Sequence, residues 1–393
     1  MESMQENFTP VPAPIRVTVE APINIAFIKY WGKREGGEKL ILPTNDSFSI
    51  TLSTKPFRSK TSVELRRDAT EDELWLNGKK SNIQETPRIQ SVLSCIRANC
   101  PSHLKSLKAY IVSENNFPTA AGMASSASGY CALASALVKA YSATVDVSML
   151  SRLGSGSACR SAYGGFVIWH RGEKPDGTDC IATQFVDEKY WPDMQVLCAV
   201  LKGEKKDVSS TTGMQQSLKT SPMMSDRIAS VVPARMKAVK EAIQQRDFNK
   251  FAEIAMADSD DLQEICHTTV PCIQYATEDS YAMIRLIRAF NAKKGYNAMA
   301  YTFDAGANCF MFTLKKNLPE VVAMLCAHFP TSWEQMFFHD AALLEECKAY
   351  KLPTSFEGLI NYPKRPLEML LQSPVGQGVI HLDDAESLIS PHT

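Results

Sequence analysis

Residues Ser113 to Tyr130 read S-E-N-N-F-P-T-A-A-G-M-A-S-S-A-S-G-Y, and the rest of the chain is arranged around this stretch. Ahead of it Leu107, Ala109 and Ile111 alternate with Lys108, Tyr110 and Val112, a period of two that predicts a strand at least half buried. Behind it Ala127, Tyr130, Cys131, Ala134, Val138 and Tyr141 recur at helical spacing. The segment is therefore a loop that leads from a strand into an amphipathic helix. The first N–H groups of a helix lack intrahelical partners and carry the positive end of its dipole, so such an end binds anions. Gly122 lets backbone approach a ligand, Ala120, Ala121 and Ala124 keep bulk away, and Ser125, Ser126 and Ser128 offer hydroxyls to phosphate oxygens or a metal ion. The same residues also fit an ordinary serine-capped helix after a small-residue loop, because the pattern is neither a Walker loop nor a dinucleotide fingerprint.

The 393 residues suffice for two or three domains, and 45% hydrophobic with 22% charged residues is the composition of a soluble globular protein. Forty-two basic against 43 acidic residues leave almost no net charge, which speaks against a general nucleic-acid or membrane-surface binder. The eleven cysteines are scattered without a C-x-x-C pair, which speaks against a disulfide framework or structural zinc and for a reducing, cytoplasmic setting. Residues 1–14 carry two glutamates and three prolines without an apolar core and read as a flexible tail rather than a targeting peptide. No apolar run is long enough for a membrane span.

Strands are expected at Ile15–Val19, continuing into Ala21–Trp31, and at Phe48–Leu52, with a hairpin turn at Asn77-Gly78. Thr86-Pro87 reads as the N-cap and first residue of a helix. Ser151–Cys159 reads as a small-residue loop before a strand at Gly164–Trp169, and Met194–Leu201 as a buried strand. Helical patterns then cover Ser225–Gln244, Asp247–Asp258 and Glu278–Lys294, with strands at Ala298–Phe303 and Cys309–Leu314 and a helix at Pro319–His328. Strands and helices are interspersed rather than strictly alternating, so the expectation is α+β, with a domain at 15–190, a second at 191–393 and a ligand cleft between them.

Four more segments could carry chemistry. In Asn24-Ile25-Ala26-Phe27-Ile28-Lys29-Tyr30-Trp31-Gly32-Lys33 two lysines bracket two aromatics at a strand end, where an anion would offset their placement near a core, although solvated lysines would look the same. Gly154-Ser155-Gly156-Ser157-Ala158-Cys159-Arg160-Ser161 offers backbone donors, hydroxyls and an arginine fork for phosphate or carboxylate, or is simply a flexible turn. Cys159 has no histidine within ten residues and reads better as a buried thiol than as a nucleophile. Lys205 to Met214 is basic and rich in hydroxyls, and for the segment alone a charged loop before a helix cap is the better fit. In Tyr301-Thr302-Phe303-Asp304-Ala305-Gly306 a carboxylate ends a strand; it could stabilise a turn, or accept a hydroxyl proton as a phosphoryl group arrives. The seven histidines sit apart, so a protein-held zinc is not expected, whereas magnesium arriving with a nucleotide is.

Taken together, P-T-A-A-G-M-A-S-S-A-S-G resembles the phosphate-binding motif of the GHMP small-molecule kinases. A-P-I-N-I-A-F-I-K-Y-W-G-K, S-E-N-N-F-P-T-A-A-G, G-S-G-S-A-C-R-S, K-K-D-V-S-S-T and Y-T-F-D-A-G resemble the diphosphomevalonate decarboxylase family within that group, from residue 21 to about 306. The resemblance implies the two-domain GHMP kinase fold, with an N-terminal ribosomal protein S5 domain 2-like domain and a ferredoxin-like C-terminal domain. It implies an ATP- and Mg2+-dependent decarboxylation of mevalonate diphosphate to isopentenyl diphosphate, commonly by a homodimer. Carried over by motif, Asp304 would be the base or orienting group, Arg160 would hold the substrate carboxylate, and Lys29 would support phosphoryl transfer. Tyr30, Trp31, Gly32 and Lys33 with Ser155, Gly156, Ser157, Ala158 and Cys159 would hold the substrate. Ser210 and Thr211 would contact phosphate, with Arg88 a further candidate. Pro118, Ala121, Gly122, Met123, Ala124, Ser125 and Ser126 would lie against the ATP phosphates, Ser126 also against magnesium. Met123 stands where relatives often have leucine, a volume-conserving change. A phosphotransferase that stops at the phosphorylated product, an enzyme for the monophosphate and a catalytically silent nucleotide-binding scaffold are the competing readings.

Overall fold

The structure, a computed structural model, describes residues 15–37, 39–117, 125–201 and 207–390. The tail at residues 1–14, the loop residues Pro118, Ala121, Gly122, Met123 and Ala124, and Lys205 with Lys206 lie outside the described residues.

The first part of the chain runs β1 (Ile15–Pro22), β2 (Asn24–Ile28), β3 (Ser47–Thr51), β4 (Arg58–Arg66), β5 (Glu73–Leu76), β6 (Lys79–Ser81), α1 (Pro87–Ala98) and β7 (Lys108–Asn115). It continues through α2 (Ser125–Ala140), α3 (Val147–Gly154), a 3-10 segment (Gly156–Ala162), β8 (Phe166–Trp169), β9 (Ala182–Val186) and β10 (Met194–Val200). Then follow α4 (Ser210–Thr220), α5 (Met224–Asp226), a π-helical turn (Arg227–Val231), α6 (Val232–Gln245), α7 (Phe248–Thr268) and α8 (Glu278–Lys294). The remainder is β11 (Met299–Phe303), β12 (Cys309–Leu314), α9 (Leu318–His328), β13 (Met336–Phe338), α10 (Ala341–Ala349), β14 (Met369–Pro374) and β15 (Ile380–Leu382).

These strands form three sheets, in the orders β15-β1-β4-β7-β5-β6, β2-β3-β8-β9 and β11-β12-β10-β14-β13. In the first, Val19 faces Thr61 and Val63 faces Ile111, which sends the apolar residues of β1, β4 and β7 to one face. Helix α2 covers that face with Ala127, Cys131, Ala134, Ala136 and Leu137, all fully buried or nearly so, and its small side chains let the helix axis come close. After β14 the chain returns to the first sheet, where β15 pairs with β1 through Thr18–Leu382 and Glu20–Ile380.

The small second sheet is the layer that joins the two halves. Phe27, Phe48 and Phe166 from it pack into one core with Val196, Phe251 and Phe312 from the C-terminal half. The Phe27 ring centroid lies 5.0 Å from that of Phe251 and 6.2 Å from that of Phe312. Each such ring contributes about 1.5–3 kcal/mol by burial, so the halves are held together by a continuous apolar core and not by a wet seam. Lys29 follows directly on β2, and its position therefore inherits the rigidity of that layer.

Three local expectations change. Ser151–Cys159 is not a loop: Asp146 caps α3 by accepting the Met149 N–H, and the chain passes from α3 into the 3-10 segment. Its small residues mark close packing instead, since a Cβ on Gly156 would come within 2.9 Å of both the Trp169 and Tyr30 rings. Thr86 does not cap α1 with its side chain; its hydroxyl donates to the Asn82 carbonyl at 3.0 Å, and Pro87 opens the helix. The helix expected over Ser225–Gln244 is interrupted by the π-helical turn, which turns Arg227 into the interior, where it is 2% exposed.

Candidate active site

Lys29 is the first residue beyond β2, whose pairing with β3 is irregular between Ala26 and Ile28, and its backbone groups have left the strand ladder. Side chains replace the missing partners: its N–H donates to Asp258 Oδ2 at 2.8 Å, and its carbonyl accepts from Asn45 Nδ2 at 3.0 Å and an Arg227 Nη at 3.2 Å. The ammonium group is buried and donates to Asp304 Oδ1 at 2.7 Å. Asp304 itself leaves β11 in a tight turn, with Gly306 N–H donating to its carbonyl at 2.7 Å, and its side chain stays 44% exposed. Burial pushes the Lys29 ammonium below its ordinary pKa of 10.5, and the nearby Asp304 and Asp258 carboxylates only partly oppose this.

Arg160 projects from the 3-10 segment and is 3% exposed. The hydrogen bonds it donates go to neutral oxygens, Ser47 Oγ at 2.7 Å and Asn24 Oδ1 at 3.2 Å. Asn24 in turn donates to the Ser157 carbonyl and Ser161 Oγ, so β2, β3 and the 3-10 segment hold the guanidinium jointly. Burial lowers its pKa, with Cys159, Asp304 and Tyr30 acting in the opposite sense. A buried guanidinium bonded to neutral groups among the described residues favours an incoming carboxylate.

These groups line one cavity of about 230 Å³ together with Tyr30, Trp31, Lys33, Arg88, Ser126, Ser155, Gly156, Ser157, Ser210 and Thr211. Tyr30 Oη and Trp31 Nε1 are buried without a hydrogen-bond partner among the described residues, so each is available to a polar ligand atom. Trp31 is fixed edge-on against Tyr275 at 6.0 Å and Tyr30 against Trp169 at 4.6 Å. Gly32 does not line the cavity; at φ +105°, with a Cβ position 2.6 Å from Thr44 Oγ1, it allows the chain to turn between Trp31 and Lys33. Ala158 and Cys159 do not line it either. Both are fully buried behind the cleft, the Cys159 thiol donates to the Gly156 carbonyl at 3.0 Å, and burial pushes that thiol well above its ordinary pKa, which removes nucleophilic character.

Two helix starts face the cavity. Ser126, exposed in the first turn of α2, has its hydroxyl 3.3 Å from that of Ser155. Ser210 and Thr211 open α4, which Ser209 caps by accepting the Thr212 N–H at 3.1 Å. Arg88 on α1 reaches across to the Gly154 carbonyl at 3.3 Å and Thr211 Oγ1 at 3.4 Å. No cluster of three or more His, Cys, Asp or Glu that could hold a metal is present among the described residues. The cavity instead offers hydroxyls, one carboxylate and helix starts on its wall, which suits a hard ion that brings phosphate oxygens with it.

Asp258, Arg227, Asn45 and Ser47 were not singled out by sequence. Asp258 sits in a helix among other acidic residues, and only the fold reveals that it meets residue 29.

The two-domain α+β chain, with paired helix starts, a buried lysine and a strand-end carboxylate around one cleft, shares the GHMP kinase fold of the solved enzymes it matches. Residues 21–182 match the diphosphomevalonate decarboxylase-like N-terminal domain and residues 196–380 the mevalonate 5-diphosphate decarboxylase C-terminal domain. The chain belongs to the diphosphomevalonate decarboxylase family. It is 46% identical to the diphosphomevalonate decarboxylase of Homo sapiens over 80% of either chain. The solved mevalonate diphosphate decarboxylase from Trypanosoma brucei is similar at 69% identity and a TM-score of 0.94, over 95% of this chain and 100% of that one. A further solved relative, in complex with MVAPP, AMPPCP and magnesium, shares 30% identity at a TM-score of 0.75, over 94% of this chain and 100% of that one. Among the described residues no helix is long and apolar enough to cross a membrane.

Proposed function

We propose that the cavity performs the family's reaction, the ATP-dependent decarboxylation of (R)-5-diphosphomevalonate to isopentenyl diphosphate, with the residues divided as follows. Asp304 orients the tertiary hydroxyl and accepts its proton as the oxygen bonds to the γ-phosphorus and ADP leaves. Lys29 holds that carboxylate in place and supplies positive charge beside the transferring group. Arg160 binds the substrate carboxylate. Phosphate is a far better leaving group than hydroxide, so the C–O bond breaks with phosphate taking the electron pair. The bond to the carboxylate then breaks as carbon dioxide departs, and its pair becomes the new double bond.

Tyr30, Trp31, Lys33, Ser155, Gly156 and Ser157 hold the substrate body, and Ser210, Thr211 and Arg88 its phosphate end. The α2 start with Ser126 and its loop neighbours carries the ATP phosphates. Magnesium, held by Ser126 and the nucleotide phosphates, would neutralise phosphate charge. The observation that carries the reading is the Lys29–Asp304 pair at 2.7 Å on the wall of the same cavity as the buried Arg160. Eleven free cysteines suit a reducing, cytoplasmic setting, and the resemblance to a family commonly homodimeric favours a homodimer.

Incubation with magnesium, ATP and mevalonate diphosphate releases carbon dioxide and ADP in equal amounts if the reading is right. ADP without carbon dioxide would leave a kinase. The same assay with the monophosphate decides how many phosphates the Ser210–Thr211 end accepts, and light scattering at twice the chain mass reports the dimer.

A further inference from the structure

Helix α7 bonds the backbone of Lys29 and that of Phe303, the residue before Asp304, with two consecutive residues. Asp258, 0% exposed, accepts the Lys29 backbone N–H at 2.8 Å. Ser259, 1% exposed, accepts through Oγ the backbone N–H of Phe303 at 3.1 Å, one residue before Asp304. The next residue, Asp260, accepts from the hydroxyl of Tyr301 on the same strand at 2.7 Å. Lys29 has just left β2, and β11 is the edge strand of its sheet, so each backbone N–H would otherwise point into the interior without a ladder partner. Successive residues of one helix are separated by a fixed 1.5 Å rise, about as rigid a spacer as a protein offers.

Asp258 is itself fixed. Arg227 donates to both of its oxygens at 3.0 and 3.1 Å, and Arg235 to Oδ1 at 2.9 Å. Arg227 also reaches the Lys29 carbonyl, so both backbone polar groups of residue 29 are tied to the same buried ion cluster.

We infer that Asp258 and Ser259 are positioning residues that set the separation of Lys29 Nζ and Asp304 Oδ1 by holding the two backbones to one helix turn. Neither touches the cavity, and the inference rests on the reading of Lys29 and Asp304 as working groups. A displacement of about 1 Å in such a pair costs up to roughly a hundredfold in rate without altering the groups that bind substrate.

Ser259→Ala removes one acceptor and leaves the helix and the ion cluster in place. The expected result is a fall in kcat of roughly tenfold, with KM for ATP and for mevalonate diphosphate within about twofold. In an Asp304→Asn background the same change should cost less than about twofold, because a residue that acts through Asp304 has nothing left to position. Equal losses in both backgrounds, or unchanged kcat in the parent, overturn the inference. Asp258→Asn, which keeps an oxygen for the Lys29 N–H but weakens the hold of both arginines, should likewise lower kcat in the parent and have little effect on Lys29→Met; additivity there overturns its part. If Asp304→Asn alone turns over at the parent rate, the reading of Asp304 fails independently of Ser259.

Discussion

The Lys29 ammonium and the Asp304 carboxylate meet at 2.7 Å from opposite halves of the molecule, the lysine side chain 3% exposed and the aspartate 44%. The cation is locked in the core while the carboxylate keeps one side toward the cavity. In the proposed reaction this asymmetry divides the labour: the accessible group meets the substrate hydroxyl, and the buried one holds it there.

Asp304→Asn keeps the shape of that contact and removes the proposed proton acceptor. Turnover should fall roughly a hundredfold or more with KM for mevalonate diphosphate little changed, because the interaction lost is one made in the transition state. Steady-state release of carbon dioxide checks it, and turnover within a few fold of the parent would remove Asp304 from the mechanism.

The depressed pKa of Lys29 has a sign. In the proposed reaction the working form is the ammonium, which is fully present well below the folded pKa and is lost as pH rises through it, and burial has moved that value below 10.5. The alkaline limb of kcat/KM should therefore begin at a lower pH than a free lysine would give. In Lys29→Arg the guanidinium stays charged, so whatever activity remains should show no limb from this group. A limb that persists unchanged in Lys29→Arg would assign it to another residue.

Much of this site is legible in the sequence because its chemistry is local. Lys29 and Arg160 each lie within a short motif whose residue types suit an anion, Asp304 ends a strand where a carboxylate can accept a proton, and strand alternation and helical spacing identify the elements beside them. What is not legible is what lies between the motifs. Asp258 lies 229 positions from Lys29, and nothing in its acidic neighbourhood distinguishes it from a solvated helix face. Arg227 faces inward only because a π-helical turn breaks the 3.6-residue period from which its direction would be read. The stretch Ser151–Cys159 reads as a loop because small residues are common in loops. Here they are small because rings pack against them.

Arg160→Lys tests recognition of the carboxylate. A lysine keeps the charge but not the fork, and it cannot serve Asn24, Ser47 and a substrate carboxylate together. The cost of leaving buried acceptors without their donor is about 1–3 kcal/mol, to be seen as a lower thermal midpoint. Decarboxylation should suffer more than phosphoryl transfer, since the carboxylate is the group released. Single-turnover measurement of ADP and carbon dioxide separates the two steps; an equal loss in both would mean that Arg160 supports the fold of the site but not the second step.

Gly156→Ala tests whether the 3-10 segment works as a close-packed wall. The added methyl would sit 2.9 Å from Trp169 Cη2 and 2.9 Å from Tyr30 Cε1, both ring atoms in contact with one another's side chains and unable to swing aside freely. Overpacking of this kind costs about 1–3 kcal/mol, and the segment can relieve it only by moving Ser155 and Ser157, which line the cavity. The expected outcome is a lower thermal midpoint together with a KM for mevalonate diphosphate raised several fold. Gly129→Ala is the contrast, because its nearest neighbour, Ser59 Oγ, is at an ordinary 3.9 Å and the position lies within α2. There the alanine should stabilise the helix by about 0.5–1 kcal/mol. If Gly156→Ala raises the midpoint as Gly129→Ala does, the wall yields to the extra methyl, and the small residues of that segment were kept for some other reason than packing.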